Sequence, residues 1–202
     1  MGALKPGKVY TTQVIMPAIS YWVPDKGWFN YEDTPGNFLL LPPGNSLPDV
    51  DAGESDYLGI YSVIAPAEFI RQPECVPVFV PGIAPTPAGM AAWLRGNPVV
   101  SATRPVAATA GGLDGLVLDL RVKPGARLPR CRNGLTFFSA ELLFRGLPPS
   151  TVAHGLVPGM TMRLYLLPYD DRVLAVELVD TRVGPGSLQT LSNVVDHITF
   201  SQ

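Results

Sequence analysis

Several groups of side chains in this chain have the types that chemistry uses. Glu32-Asp33 is an adjacent carboxylate pair beside Trp28, Phe29 and Tyr31. Carboxylates next to aromatic rings serve acid/base catalysis and sugar binding alike. Neighbouring residues of a strand point to opposite faces, so the two acids converge only if they lie in a turn. With Trp22 added, the residues Trp28, Tyr31 and Glu32 are the candidate lining of a ligand-binding cleft. A second group, Asp49-Val50-Asp51-Ala52-Gly53-Glu54-Ser55-Asp56, places four carboxylates in eight residues. A calcium loop of the EF-hand type needs Gly at its sixth position and Glu at its twelfth. Here Gly53 is fifth and the twelfth position is Ile60. The segment reads as a solvated acidic turn.

Arg121, Lys123, Arg127, Arg130 and Arg132 form a basic run across Pro124-Gly125. Such a run suits an anion or an acidic partner, and equally a solvated basic loop. The histidines are His154 and His197. Neither stands in an H-E-x-x-H pair, and neither a nucleophile elbow G-x-S-x-G nor a phosphate loop G-x-x-x-x-G-K-[ST] occurs. Both read as ordinary histidines. No catalytic residue, metal ligand set or cofactor is assigned.

The elements that must position these groups are legible in the composition. Of 202 residues, 47% are hydrophobic and 16% charged, and the net charge is −2. That excludes a mainly disordered chain and argues against a nucleic-acid binder, which needs positive charge to neutralise phosphates. The longest apolar runs, such as Leu58–Ala67, fall short of the roughly 18 residues that cross a bilayer. The 22 prolines and 20 glycines make about a fifth of the chain, against roughly 12% on average. They separate apolar runs at Pro42-Pro43-Gly44, Pro81-Gly82, Pro124-Gly125, Pro148-Pro149 and Pro158-Gly159. Short strands joined by turns follow from that punctuation.

Strands are expected within 9–23, broken at Pro17, at Phe38–Leu41, Tyr57–Ala65, Val99–Val106, Gly115–Val122 and Ile198–Phe200. Arg163–Leu167 and Arg172–Val179 make a hairpin around a four-residue loop, Pro168-Tyr169-Asp170-Asp171. Thr86 as cap, Pro87 at the first position and Gly96 just past the end predict a helix, with Met90, Trp93 and Leu94 as its apolar stripe. A second helix capped by Gly186 or Ser187 would bury Leu188, Leu191, Val194 and Val195. The fold class is α+β, one domain over 1–202: an antiparallel sheet with short helices packed on it.

Cys75 and Cys131 are too few for a sulfur-only zinc site. They are two free thiols or one disulfide, and their Pro- and Arg-flanked loop settings favour the disulfide. A disulfide requires an oxidising compartment. The opening Met1-Gly2-Ala3-Leu4-Lys5 lacks the charged and apolar regions of an export signal. Either the protein is cytoplasmic, or its export segment is not part of this sequence.

Several segments together resemble a family of uncharacterised exported proteins of actinobacterial type. They are Leu4–Thr12, Val23-Pro24 with Gly27–Asp33, Pro35–Gly44, Asp51–Tyr61, Gly111–Gly115 with Leu118–Leu120, Arg163–Leu167 and Val195–Phe200. Residues 126–153 match poorly. The ending, a helix running into His-Ile-Thr-Phe, is also similar to the PsbP-like α/β/α sandwich, an antiparallel sheet with helices on both faces. The resemblance implies an exported protein, and PsbP-like domains imply an accessory or binding role rather than catalysis.

The expected function is therefore a non-catalytic, extracytoplasmic accessory or binding domain. Its partner would be a protein, an envelope component or a small molecule. The alternative is a small-molecule enzyme, a hydrolase or cyclase, with its cleft around Trp22, Trp28, Tyr31 and Glu32. A third possibility is a structural subunit that self-associates through exposed strand edges.

Overall fold

The computed structural model describes residues 2–45, 55–133, 136–150, 152–181 and 188–201. The described chain opens with β1 (Gly2–Ala3), β2 (Tyr10–Thr11), β3 (Ile19–Tyr21), β4 (Phe29–Thr34) and β5 (Asn37–Leu41). Next come β6 (Tyr57–Ile70), β7 (Val76–Phe79), helix α1 (Pro87–Gly96), β8 (Val100–Ala102), β9 (Val106–Ala110) and β10 (Leu113–Val122). Then follow β11 (Arg130–Asn133), β12 (Thr136–Ser139), β13 (Glu141–Gly146) and β14 (Ala153–Leu156). The last elements are β15 (Thr161–Tyr169), β16 (Arg172–Asp180), α2 (Leu188–Val195) and β17 (Thr199–Phe200).

Among the described residues one antiparallel sheet of 12 strands dominates, in the order β1-β4-β5-β6-β16-β15-β10-β8. β9 lies beside β10, and the far half of β6 carries β7 and the β13–β14 pair. A small sheet β17-β3-β2 and the pair β11–β12 stand apart from it. Strands β6 and β16 are apolar on both faces because both faces are covered. Leu174, Val176 and Leu178 of β16 join Leu58, Ile60 and the buried side of α2 in one core. Val173, Ala175 and Val179 join Tyr61, Leu164, Leu166 and the buried side of α1 in the other. The two helices thus cover opposite faces of the sheet.

Helix α1 starts as its sequence dictates: Thr86 Oγ1 accepts from the Gly89 N–H (3.1 Å), and Pro87 fills a first-turn position. Gly96 is its last helical residue and Asn97 its cap. Met90, Ala91 and Leu94 are its buried residues, with Trp93 half-buried beside them. In α2, Leu191, Val194 and Val195 are buried and Leu188 packs at the core edge; the expected caps Gly186 and Ser187 lie outside the described residues.

Two expected elements differ. Val99–Val106 is not one strand but β8 and β9, with residues 103–105 between them. Pro105 has no N–H to donate. Thr103 instead closes the gap, its N–H donating to Asp119 O (3.0 Å) and its Oγ1 accepting from the Asp119 N–H (2.9 Å). The β15–β16 hairpin has a two-residue turn, Asp170-Asp171, since Tyr169 pairs with Arg172 and Pro168 with Val173. Pro168 is tolerated in β15 because the pairing with β10 on its other side has already ended at Leu166. Asp170 supplies the positive φ (50°) that so tight a turn uses.

Candidate functional site

The adjacent acids do diverge, and each has a separate task. Glu32 Oε1 accepts from Thr34 Oγ1 (2.7 Å) and Asn37 Nδ2 (3.3 Å), closing the β4–β5 turn. Asp33 faces the 12–18 loop instead. Its Oδ2 accepts from the Gln13 N–H (2.7 Å), and its Oδ1 from those of Val14 (3.2 Å) and Ile15 (3.0 Å). Thr12 and Ile19 exchange two further bonds across the loop mouth, Thr12 N–H to Ile19 O (2.9 Å) and Ile19 N–H to Thr12 Oγ1 (2.8 Å). The Ser62 hydroxyl donates to Met16 O, and the Ala18 N–H to Ser201 Oγ (3.0 Å). Ile15 plugs the loop into the core. Its two neighbours point the other way: Val14 is 44% and Met16 64% exposed. A loop with its N–H groups this fully held presents its apolar side chains at little entropic cost on binding.

The four residues expected to line a cleft are placed as follows. Trp28 is 1% exposed, inside the core with Tyr21, Val23 and Phe38. Trp22 is half-buried and its ring lies 4.3 Å from that of His197, tilted by 30°. Tyr31 and Glu32 are half-buried on β4, where the pairing with β5 shifts between Asn30 and Glu32, leaving Tyr31 as the extra residue. Trp22 and His197 are thus brought together, while Glu32 is held by the turn and Trp28 by the core. His197 is an exposed residue packed on a ring.

His154 is not an ordinary surface histidine. It lies on β14, opposite Phe144 of β13, and its Nδ1 is 3.0 Å from Glu177 Oε2. Glu177 is wholly buried in the middle of β16. Opposite it on β6 is Gly59, flanked by Tyr57 and Tyr61. The missing side chain at Gly59 is what makes room, because a Cβ there would stand 2.2 Å from Tyr61 Oη. The His154 ring lies 4.1 Å from that of Tyr61, tilted by 44°, and stacks 5.2 Å from that of Phe144. Both tyrosine hydroxyls face the carboxylate. The contacts are close rather than aligned: Tyr61 Oη, His154 Nε2 and the Glu177 oxygens are enclosed without a hydrogen bond of good geometry among the described residues. His154 Nε2 is sealed from solvent, and the group packs β14 against β6 and β16.

Burial and the neighbouring Glu177 carboxylate push the Tyr57 and Tyr61 phenols well above their usual range. Burial raises Tyr21 and Tyr165 in the same direction. Tyrosine in the unfolded chain ionises near 10. Stability is therefore complete below about pH 10 and is lost as pH rises above it, at about 1.4 kcal/mol per pH unit for each buried phenol. Urea unfolding at stepped alkaline pH is expected to show that fall, and Tyr61→Phe to reduce its slope by one phenol's share.

The remaining candidates are placed as follows. Most of the acidic segment, Asp49–Glu54, lies outside the described residues. Its last acid is not solvated: Asp56 is buried, and Oδ1 accepts from the Thr181 N–H (2.8 Å) and Oγ1 (3.0 Å). In the basic run, Lys123 Nζ donates to Asn97 O (3.4 Å) and Pro98 O (2.9 Å) just past α1, while Arg121 and Arg127 are exposed. Cys75 and Cys131 form a disulfide with a Cα–Cα distance of 5.3 Å. Among the described residues no group of three or more His, Cys, Asp or Glu is placed to hold a metal ion, and no helix is long and apolar enough to cross a membrane. No known family's sequence model matches the chain, and no curated protein matches it.

Proposed function

We propose that the chain is a non-catalytic, extracytoplasmic binding domain that meets a protein partner through the 12–18 loop. The loop carries this reading. Three backbone N–H groups held by one carboxylate, with Val14 and Met16 turned outward, is a costly arrangement for a mere connection. Rigid loops with exposed apolar side chains are where recognition concentrates. The Cys75–Cys131 disulfide supports the oxidising compartment. One helix on each face of an antiparallel sheet supports a PsbP-like layering, and with it the accessory role.

A photoreactive amino acid placed at Met16, in protein made in its native oxidising compartment, tests the reading. The expected result is a discrete adduct of higher mass from position 16 and none from the exposed Asp25. No adduct, or equal labelling at both positions, overturns it. Asp33→Ala releases the three N–H groups and is expected to lower the adduct yield several-fold while the domain stays folded.

A further inference from the structure

A second feature lies on the α1 face of the sheet, away from the loop. The far half of β6, the segment leading into α1, the turn after β13 and the start of β16 leave a crevice between them. It is open to solvent, holds about 150 Å³, and its walls include Ile64, Ile83, Met90, Leu147 and Val173. A cavity of that size lined by aliphatic side chains accepts a benzene-sized group. The charged member of the lining is Arg172. Its Nε is 3.4 Å from Asp171 Oδ1, and the two side chains are 46% and 83% exposed. A pair so long and so wet is worth little, so an incoming anion displaces Asp171 at small cost. The planar guanidinium fork matches a carboxylate with two parallel N–H···O bonds.

We infer that this crevice binds a small apolar monocarboxylate, its ring or branched chain among Ile64, Met90 and Val173 and its carboxylate on Arg172. Aliphatic side chains beside a charged group are a common form of small-molecule site. The inference is independent of the loop, because the two lie on opposite faces of the sheet. It also gives Arg172 a task that its turn does not require.

Methyl resonances of Ile64, Ile83, Leu147 and Val173, followed by NMR during titration with benzoate, test it. Benzamide serves as the neutral probe of the same shape. Benzoate is expected to shift these methyls saturably below about 10 mM, with benzamide at least about tenfold weaker. Arg172→Met keeps the aliphatic stem and is expected to reduce benzoate affinity to that of benzamide, with Arg172→Lys between them. Because Arg172 is half-exposed at a turn, both variants fold. No saturable shift by about 10 mM, shifts confined to other residues, or a benzoate-to-benzamide ratio under about tenfold overturns the inference. An Arg172→Met variant that still binds benzoate like the wild type does the same.

Discussion

Replacing Cys75 and Cys131 with serine is expected to lower the unfolding free energy by about 4 kcal/mol. The cross-link joins residues 56 apart, and the loop-closure entropy it removes from the unfolded chain sets that magnitude. Its local setting keeps the effect global. Cys131 is fully buried and Cys75 nearly so, and the Arg132 N–H donates to Pro73 O (2.8 Å) beside the bridge. Among the described residues the β11–β12 pair shares no ladder with the main sheet, and the disulfide ties it to the chain between β6 and β7. For a chain of this size 4 kcal/mol corresponds to a fall in Tm of about 8–16 °C. Calorimetric scans with and without reductant measure it. Alkylation of the unreduced protein supplies the companion test: two freely labelled thiols in material from an oxidising preparation would refute both the bridge and the compartment inferred from it.

Local signals carried much of this fold. Thr86, Pro87 and the Met90/Leu94 spacing mark α1 because capping and periodicity act within a dozen residues. The Pro and Arg flanks of both cysteines suggest loops; Cys75 does lie between β6 and β7, whereas Cys131 sits inside β11, and the two are bridged. The β8–β9 break escaped because one Pro inside an apolar run is compatible with an edge strand, and only the pairing with β10 reveals the interruption. Trp28 escaped for a different reason. An aromatic beside Phe29, Tyr31 and an acid has the same local pattern on a cleft wall as in a core, and its burial is set by what packs on it. Asp33 was visible as a turn acid, but not its three N–H partners nearly twenty residues earlier. The buried pair does have a sign in the sequence. Glu177 interrupts the run Val173–Val179, and a strand apolar on both faces places any acid within it in a core. Such an acid requires a partner from elsewhere, and the chain offers two histidines.

That pair yields the other large effect. His154→Ala is expected to cost about 3 kcal/mol, because it leaves the fully buried Glu177 carboxylate without its Nδ1 partner. Tyr57 and Tyr61 can donate to the carboxylate but cannot neutralise it. Glu177→Leu is expected to cost clearly less. It removes the buried acid and places an apolar side chain among Tyr61, Ala175 and Val179, while His154, 14% exposed on an edge strand, loses only the one contact. The double variant should then be little worse than Glu177→Leu alone, giving a coupling of at least about 2 kcal/mol. Urea unfolding of the four proteins of the cycle measures this. Additive single effects would show that the 3.0 Å contact carries no energy. A Glu177→Leu variant less stable than His154→Ala would show that the cluster is held by hydrogen bonds rather than by charge. The expected asymmetry has a structural cause: one partner lies wholly enclosed at the centre of the sheet and the other at its rim, so the unpaired acid is the costlier of the two.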